Sequence, residues 1–201
     1  MSRRALSVTY DYRCPFARNA HEHLVTALRG GADWDVEFTP FSLSQAHVEE
    51  GGLPVWDDPA KARDLLATEA GLVVRDSVPD RFFDVHVGLF AARHDRGLDL
   101  RDESVIRDVL DASGVDSDAV FAAVADGGPR DTFRKAHETA VTTSHVFGVP
   151  TFVVGDSAVF VRIMTRPGEE VSVARSTIEG VLTLLDDHPE INEFKHTTIK
   201  R

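Results

Sequence analysis

A chain of 201 residues with 42% hydrophobic side chains is long enough to bury a sizeable core as one or two domains. Its 33 acidic residues against 22 basic ones give a net charge of -11, which repels phosphate backbones and argues against nucleic acid as a partner. No run approaches the ~18 apolar residues of a membrane span, and Arg3-Arg4 is followed by too few apolar residues for a signal peptide, so a cytoplasmic protein with no membrane partner is expected. The single cysteine, Cys14, has no internal partner, and any disulfide it forms joins it to another molecule.

The alternating, β-forming side chains of Ala5 to Tyr12 predict a first strand. Cys14-Pro15 breaks it and opens a helix, with Phe16, Ala20, His23, Leu24, Ala27 and Leu28 at helical spacing and Gly30-Gly31 as its end. Trp34 to Phe41 alternates again and predicts a second strand, parallel to the first across a right-handed crossover. From about Asp57 to Ala125 the period turns helical, with breaks at Asp58-Pro59, Val78-Pro79-Asp80, Gly97, Ser113-Gly114 and Gly127-Gly128-Pro129. Four or five short helices are expected there, then a further helix from about Asp131 to Phe147.

Thr151 to Val154 and Ala158 to Ile163, joined by a turn at Asp156-Ser157, predict a β-hairpin. Val173 to Leu185 is an amphipathic final helix stopped by His188-Pro189, and the tail from Ile191 to Arg201 is mostly polar. A βαβ unit and a ββα unit with a helical insertion between them give an α/β fold, one mixed sheet with helices on both faces. Residues 1–47 and 140–201 would form the sheet domain, and 48–139 the helical subdomain.

Two stretches carry the chemistry. A thiol at Cys14 lies beside the unpaired N–H groups and positive dipole end of a helix, which favour thiolate, so a pKa below the free-thiol value of about 8.5 is expected. Arg13 would add to this by turning its guanidinium inward. A cysteine near a turn also serves as a small buried hydrophobe. The second stretch is Val149-Pro150-Thr151, where a cis peptide bond would turn the backbone beside the helix that Cys14 opens.

Together these stretches resemble the thioredoxin superfamily, and the interrupted order resembles its DsbA-like branch over nearly the whole chain. The resemblance implies a thioredoxin fold with an all-helical insertion. It makes Cys14 the nucleophile, Pro15 and Phe16 the dipeptide of a Cys-X-X-Cys motif, and Val149, Pro150 and Thr151 the cis-proline loop that contacts substrate. Phe147-Gly148-Val149-Pro150-Thr151-Phe152, Ala158-Val159-Phe160-Val161-Arg162 and Asn192-Glu193-Phe194-Lys195-His196-Thr197 look like a cytoplasmic actinobacterial group. That group includes mycothiol-dependent reductases, with FrnE-type oxidoreductases and 2-hydroxychromene-2-carboxylate isomerases as relatives.

Ala17 stands where dithiol members carry the resolving cysteine. Thiolate attack on a disulfide remains open to Cys14, but intramolecular resolution does not. The resemblance therefore implies a monothiol oxidoreductase with mycothiol or glutathione as cosubstrate and a small electrophilic or disulfide substrate. The rival readings are an isomerase or kappa-class transferase that uses a bound thiol, and a non-catalytic binding protein. Dimers are common among the relatives, so a homodimer is a further expectation. Asp11, Tyr12, Arg13 and His145 are candidates for the pocket. Asp11 either binds a thiol cofactor's polar groups or caps the next helix. Phe16 packs over the thiol or into the core. His86, on the stripe Phe82, Phe83, His86, Phe90, is either structural or near the site. His21 and His23 do not share a helix face, no zinc-type cluster exists, and no metal is assigned.

Overall fold

The computed structural model describes residues 3–198. The ends of the expected sheet domain, residues 1–2 and 199–201, lie outside it, so only residues 191–198 of the polar tail are described; they are exposed and form neither helix nor strand. β1 (Arg4–Tyr10) and β2 (Trp34–Pro40) are parallel, in register from Arg4 opposite Trp34 to Tyr10 opposite Pro40, with α1 (Pro15–Arg29) as the crossover. β3 (Thr151–Val154) pairs antiparallel with β1 through Ser7 opposite Val153 and Val8 opposite Phe152, and β4 (Ser157–Phe160) returns antiparallel on β3. The sheet order is β2-β1-β3-β4. Continuing the β1–β3 register sets Tyr10 opposite Pro150, so the chain leaving β1 toward Cys14 meets the chain entering β3.

Between β2 and β3 lie α2 (Leu43–Ala46), a 3-10 turn (Pro59–Lys61), α3 (Ala62–Ser77), α4 (Pro79–His94), α5 (Glu103–Ala112), α6 (Ser117–Ala125) and α7 (Gly128–Ser144); α8 (Val171–Asp187) closes the fold. α3 packs against α4, α6 and α7, while α4 also meets α1. Much of the insert packs into the core of the sheet domain. Val85, Leu89 and Phe90 of α4 belong to one apolar cluster with Val8 and Tyr10 of β1, Leu24 of α1 and Ile178 of α8. A smaller cluster gathers Val55, Trp56, Leu65, Leu72 and Phe133. α7 runs unbroken through residues 139 and 140, where the sequence had suggested a boundary. α1 lies along α8 so closely that a methyl group on Gly30 would sit 2.2 Å from Val171 Cγ1.

Several element ends differ from the sequence reading, each for a local reason. β1 stops at Tyr10 because the Asp11 side chain and carbonyl take the N–H groups of Arg13 (2.9 Å) and Cys14 (3.0 Å), which closes a turn. β4 stops at Phe160 rather than Ile163, where the Ile163 carbonyl accepts Asn19 Nδ2 at 2.9 Å and draws the chain onto α1. α7 starts and ends three residues early, its end fixed by His145 in the left-handed region at φ 51°. α2, absent from the sequence reading, is one turn capped by Ser42.

Candidate active site

Cys14 is the N-cap of α1. Its Sγ accepts the Ala17 N–H at 3.5 Å, and its carbonyl accepts the Arg18 N–H at 3.0 Å. Pro15 fills the first helical position, where no amide hydrogen is needed. The thiol donates to the Val149 carbonyl at 3.3 Å, across 135 residues of sequence. The Val149-Pro150 peptide bond is cis. Val149 and Thr151 are buried, and the loop is fastened to β1 by Thr9, whose Oγ1 accepts the Thr151 N–H at 2.9 Å. Thr151 Oγ1 in turn donates to the Gly148 carbonyl at 2.8 Å. Two segments identified separately in the sequence thus form one site, with a sulfur on one side and a carbonyl on the other.

The expected depression of the Cys14 pKa is overturned. Burial pushes the thiol up; the Ala17 and Phe16 N–H groups pull it down but do not compensate, and the Asp11 charge adds to the rise. Only 8% of Cys14 is exposed, so the water that would solvate a thiolate is largely excluded. Arg13 gives no help. Its guanidinium is held by both Asp11 oxygens (3.1 and 2.7 Å) and by Ser44 Oγ (2.7 Å), with Asp64 at 3.9 Å, and it is not among the groups that shift the thiol.

Asp11 is committed to the backbone as well. Besides Arg13, its Oδ2 accepts the Leu43 N–H at 2.9 Å, so its carboxylate fastens the β1 turn to α2. Phe16 is half-buried with the Arg162 guanidinium 5.7 Å over its ring, Pro15 is exposed, and Ala17 is fully buried. His145 is an exposed helix cap, and among the described residues it has no hydrogen bond to the site. Beyond the turn, Arg13, Ser44, His47 and Lys61 share the lining of an open cavity of about 480 Å³ with Leu43, Val48, Leu53, Val55 and Asp58. Among the described residues, no group of three or more metal-ligating side chains forms, and no helix is long and apolar enough to cross a membrane.

Sequence reasoning missed what holds Tyr12. Its hydroxyl donates to His86 Nδ1 (2.9 Å), His86 Nε2 to His21 Nδ1 (2.9 Å), and His21 Nε2 to the Thr9 carbonyl (3.2 Å). The direction is forced, because a carbonyl only accepts and a neutral imidazole has one donor and one acceptor. Burial keeps both rings neutral, with the His21 pKa lowered to about 3 and that of His86 well below its usual range. The Tyr12 carbonyl accepts His94 Nε2 at 2.9 Å. The signal for His94 was present: Phe82, His86, Phe90 and His94 recur every four residues, and their rings touch in sequence along α4.

A model of the DSBA-like thioredoxin domain matches residues 80–165, from α4 to just beyond β4. No curated protein matches the sequence significantly. Solved structures match over most of the chain. A 2-hydroxychromene-2-carboxylate isomerase is 15% identical at a TM-score of 0.62, covering 94% of this chain and 100% of that one. BdbD from Bacillus subtilis is 15% identical at 0.60, covering 89% and 87%. MdbA, a thiol-disulfide oxidoreductase from Actinomyces oris, is 16% identical at 0.60, covering 86% and 79%. The architecture is a DsbA-like thioredoxin fold: a mixed four-stranded sheet with a helical insertion between β2 and β3.

Proposed function

We propose that this protein catalyses monothiol exchange between a small disulfide and a low-molecular-weight thiol, mycothiol or glutathione, through Cys14. The observation that carries this reading is the Cys14 Sγ resting 3.3 Å from the Val149 carbonyl, with Ala17 where a resolving sulfur would stand. The Cys14 thiolate attacks one sulfur of the substrate disulfide, the S–S bond breaks, one half leaves as a thiolate and Cys14 holds the other as a mixed disulfide. An external thiolate then attacks the bound half's sulfur and releases Cys14. Across both steps one disulfide and one thiolate give a new disulfide and a new thiolate, with no net oxidation.

A second reading is favoured by the raised Cys14 pKa. A thiol that stays protonated acts as a hydrogen-bond donor, and it could orient the sulfur of a bound thiol cofactor in an isomerase or transferase without forming a disulfide itself. The two readings separate on intact mass after incubation with mycothiol disulfide or glutathione disulfide. Monothiol exchange requires a single adduct on the parent protein, removed by added thiol and absent from Cys14→Ser. No adduct from either disulfide even at alkaline pH overturns it, and thiol-dependent isomerase or transferase activity that survives Cys14→Ser supports the second reading.

A further inference from the structure

The turn that carries Cys14 is held from the helical insert, and the holding group is a pair of histidines on one stripe of α4. His86 takes the Tyr12 hydroxyl at 2.9 Å, and His94, two turns on, gives its Nε2–H to the Tyr12 carbonyl at 2.9 Å. The two bonds fix the side chain and the backbone of the residue two positions before the thiol. Among the described residues no other group reaches the Tyr12 carbonyl. The Cys14 N–H then closes the turn onto the Asp11 carbonyl at 3.0 Å, and Sγ comes to rest on Val149.

We propose that His94 is a positioning residue for Cys14: its bond to the Tyr12 carbonyl, backed by the His86 bond to the Tyr12 ring, keeps the 11–14 turn closed and the thiol seated against the Val149-Pro150 loop. The helical insert thereby sets how readily the thiol becomes reachable. Without the His94 donor, the Tyr12–Arg13 peptide unit keeps its Arg13 N–H on Asp11 Oδ1 at 2.9 Å but loses the bond on its carbonyl side, so one of its two anchors is gone, while the rest of α4 stays held through Phe82, His86, Leu89 and Phe90, all buried. The inference rests on the reading that Cys14 reacts, but its test does not need a disulfide ever to form.

The test is the rate at which iodoacetamide alkylates Cys14 in the folded, full-length protein, followed by intact mass. His94→Phe keeps a ring on Phe90 and removes the donor; His94→Gln restores a side-chain N–H. Ile106→Val, at a fully buried position in α5, controls for a general loss of stability. His94→Phe is expected to alkylate about fivefold faster than the parent, as loss of one hydrogen bond of ordinary strength implies, with His94→Gln and Ile106→Val within about twofold of it. Equal rates in parent and His94→Phe, a His94→Gln variant as fast as His94→Phe, or the same acceleration in Ile106→Val would each overturn the proposal. Should His94→Phe fail to fold, the nitrogen-15 spectrum of the parent decides: His94 must be the Nε2–H tautomer, and the Nδ1–H tautomer contradicts the bond. A missing mixed disulfide in the mass experiment refutes the exchange reaction and leaves the alkylation result standing.

Discussion

At Cys14 two opposing influences act on one sulfur. The open N-terminus of α1 offers N–H groups that favour a thiolate, and the packed surroundings withhold the water that a thiolate needs; burial wins. The sign has a consequence for reactivity and for stability. A group whose folded pKa is raised stabilises the fold while it is protonated, at pH below its unfolded value of about 8.5, and that stabilisation disappears as pH rises through the folded value. Iodoacetamide alkylation of the parent is therefore expected to keep accelerating beyond about pH 8.5, with no plateau in the neutral range. A plateau reached below about pH 7 would show that the helix terminus dominates after all. In exchange chemistry the same rise means that only a minor thiolate fraction attacks at neutral pH.

At the scale of elements, the site depends on a β1–β3 register that brings Thr9 beside Thr151. Thr9 Oγ1 is the acceptor for the Thr151 N–H, a buried donor at the start of β3. Thr9→Val keeps the shape and removes the acceptor, and is expected to cost about 1–3 kcal/mol, the usual penalty for stranding a buried donor. Urea unfolding measures the cost; a change under about 0.5 kcal/mol would mean that the loop relaxes to another partner. The order of elements and the meeting of the two loops were legible in the sequence because their signals are local: Pro15 at a helix start, Gly30-Gly31 at its end, Pro150 ahead of a strand. What was not legible depends on distant partners. The Asp11 carboxylate has a fixed role only because Leu43 and Arg13 arrive on both of its oxygens. The thiol's pKa is decided by burial in the folded chain, where Sγ meets a carbonyl 135 residues away, and His94 acts on a backbone carbonyl that has no sequence signature. The sequence reading of the stripe on α4 ends at Phe90; the same four-residue spacing continues to His94, but spacing alone does not say which carbonyl that ring meets.

For the whole molecule, the buried histidines set a stability limit on the acid side. His21, His86 and His137 are each at most 4% exposed, and burial depresses all three, with His21 at about 3 and His137 at about 4. They stay neutral in the fold and take up protons on unfolding, so the unfolded state binds more protons once the pH drops below the unfolded histidine value of about 6.5. The stability they contribute is thus complete above that value and is lost as pH falls toward their folded values. Glu69 opposes this, because burial raises its pKa above the usual carboxylate value. Between about pH 7.5 and 5.5 the histidines titrate in the unfolded chain while carboxylates there stay ionised, which isolates the histidine contribution. The urea midpoint is expected to fall across that interval, and to fall less in His137→Gln, whose amide oxygen can still accept the Ser42 N–H that His137 Nδ1 now takes at 3.2 Å. A parent midpoint that is flat from pH 7.5 to 5.5 would mean that these rings find proton acceptors inside the fold. The Tyr12–His86–His21 chain leaves no room for that, since every ring nitrogen in it already has its partner.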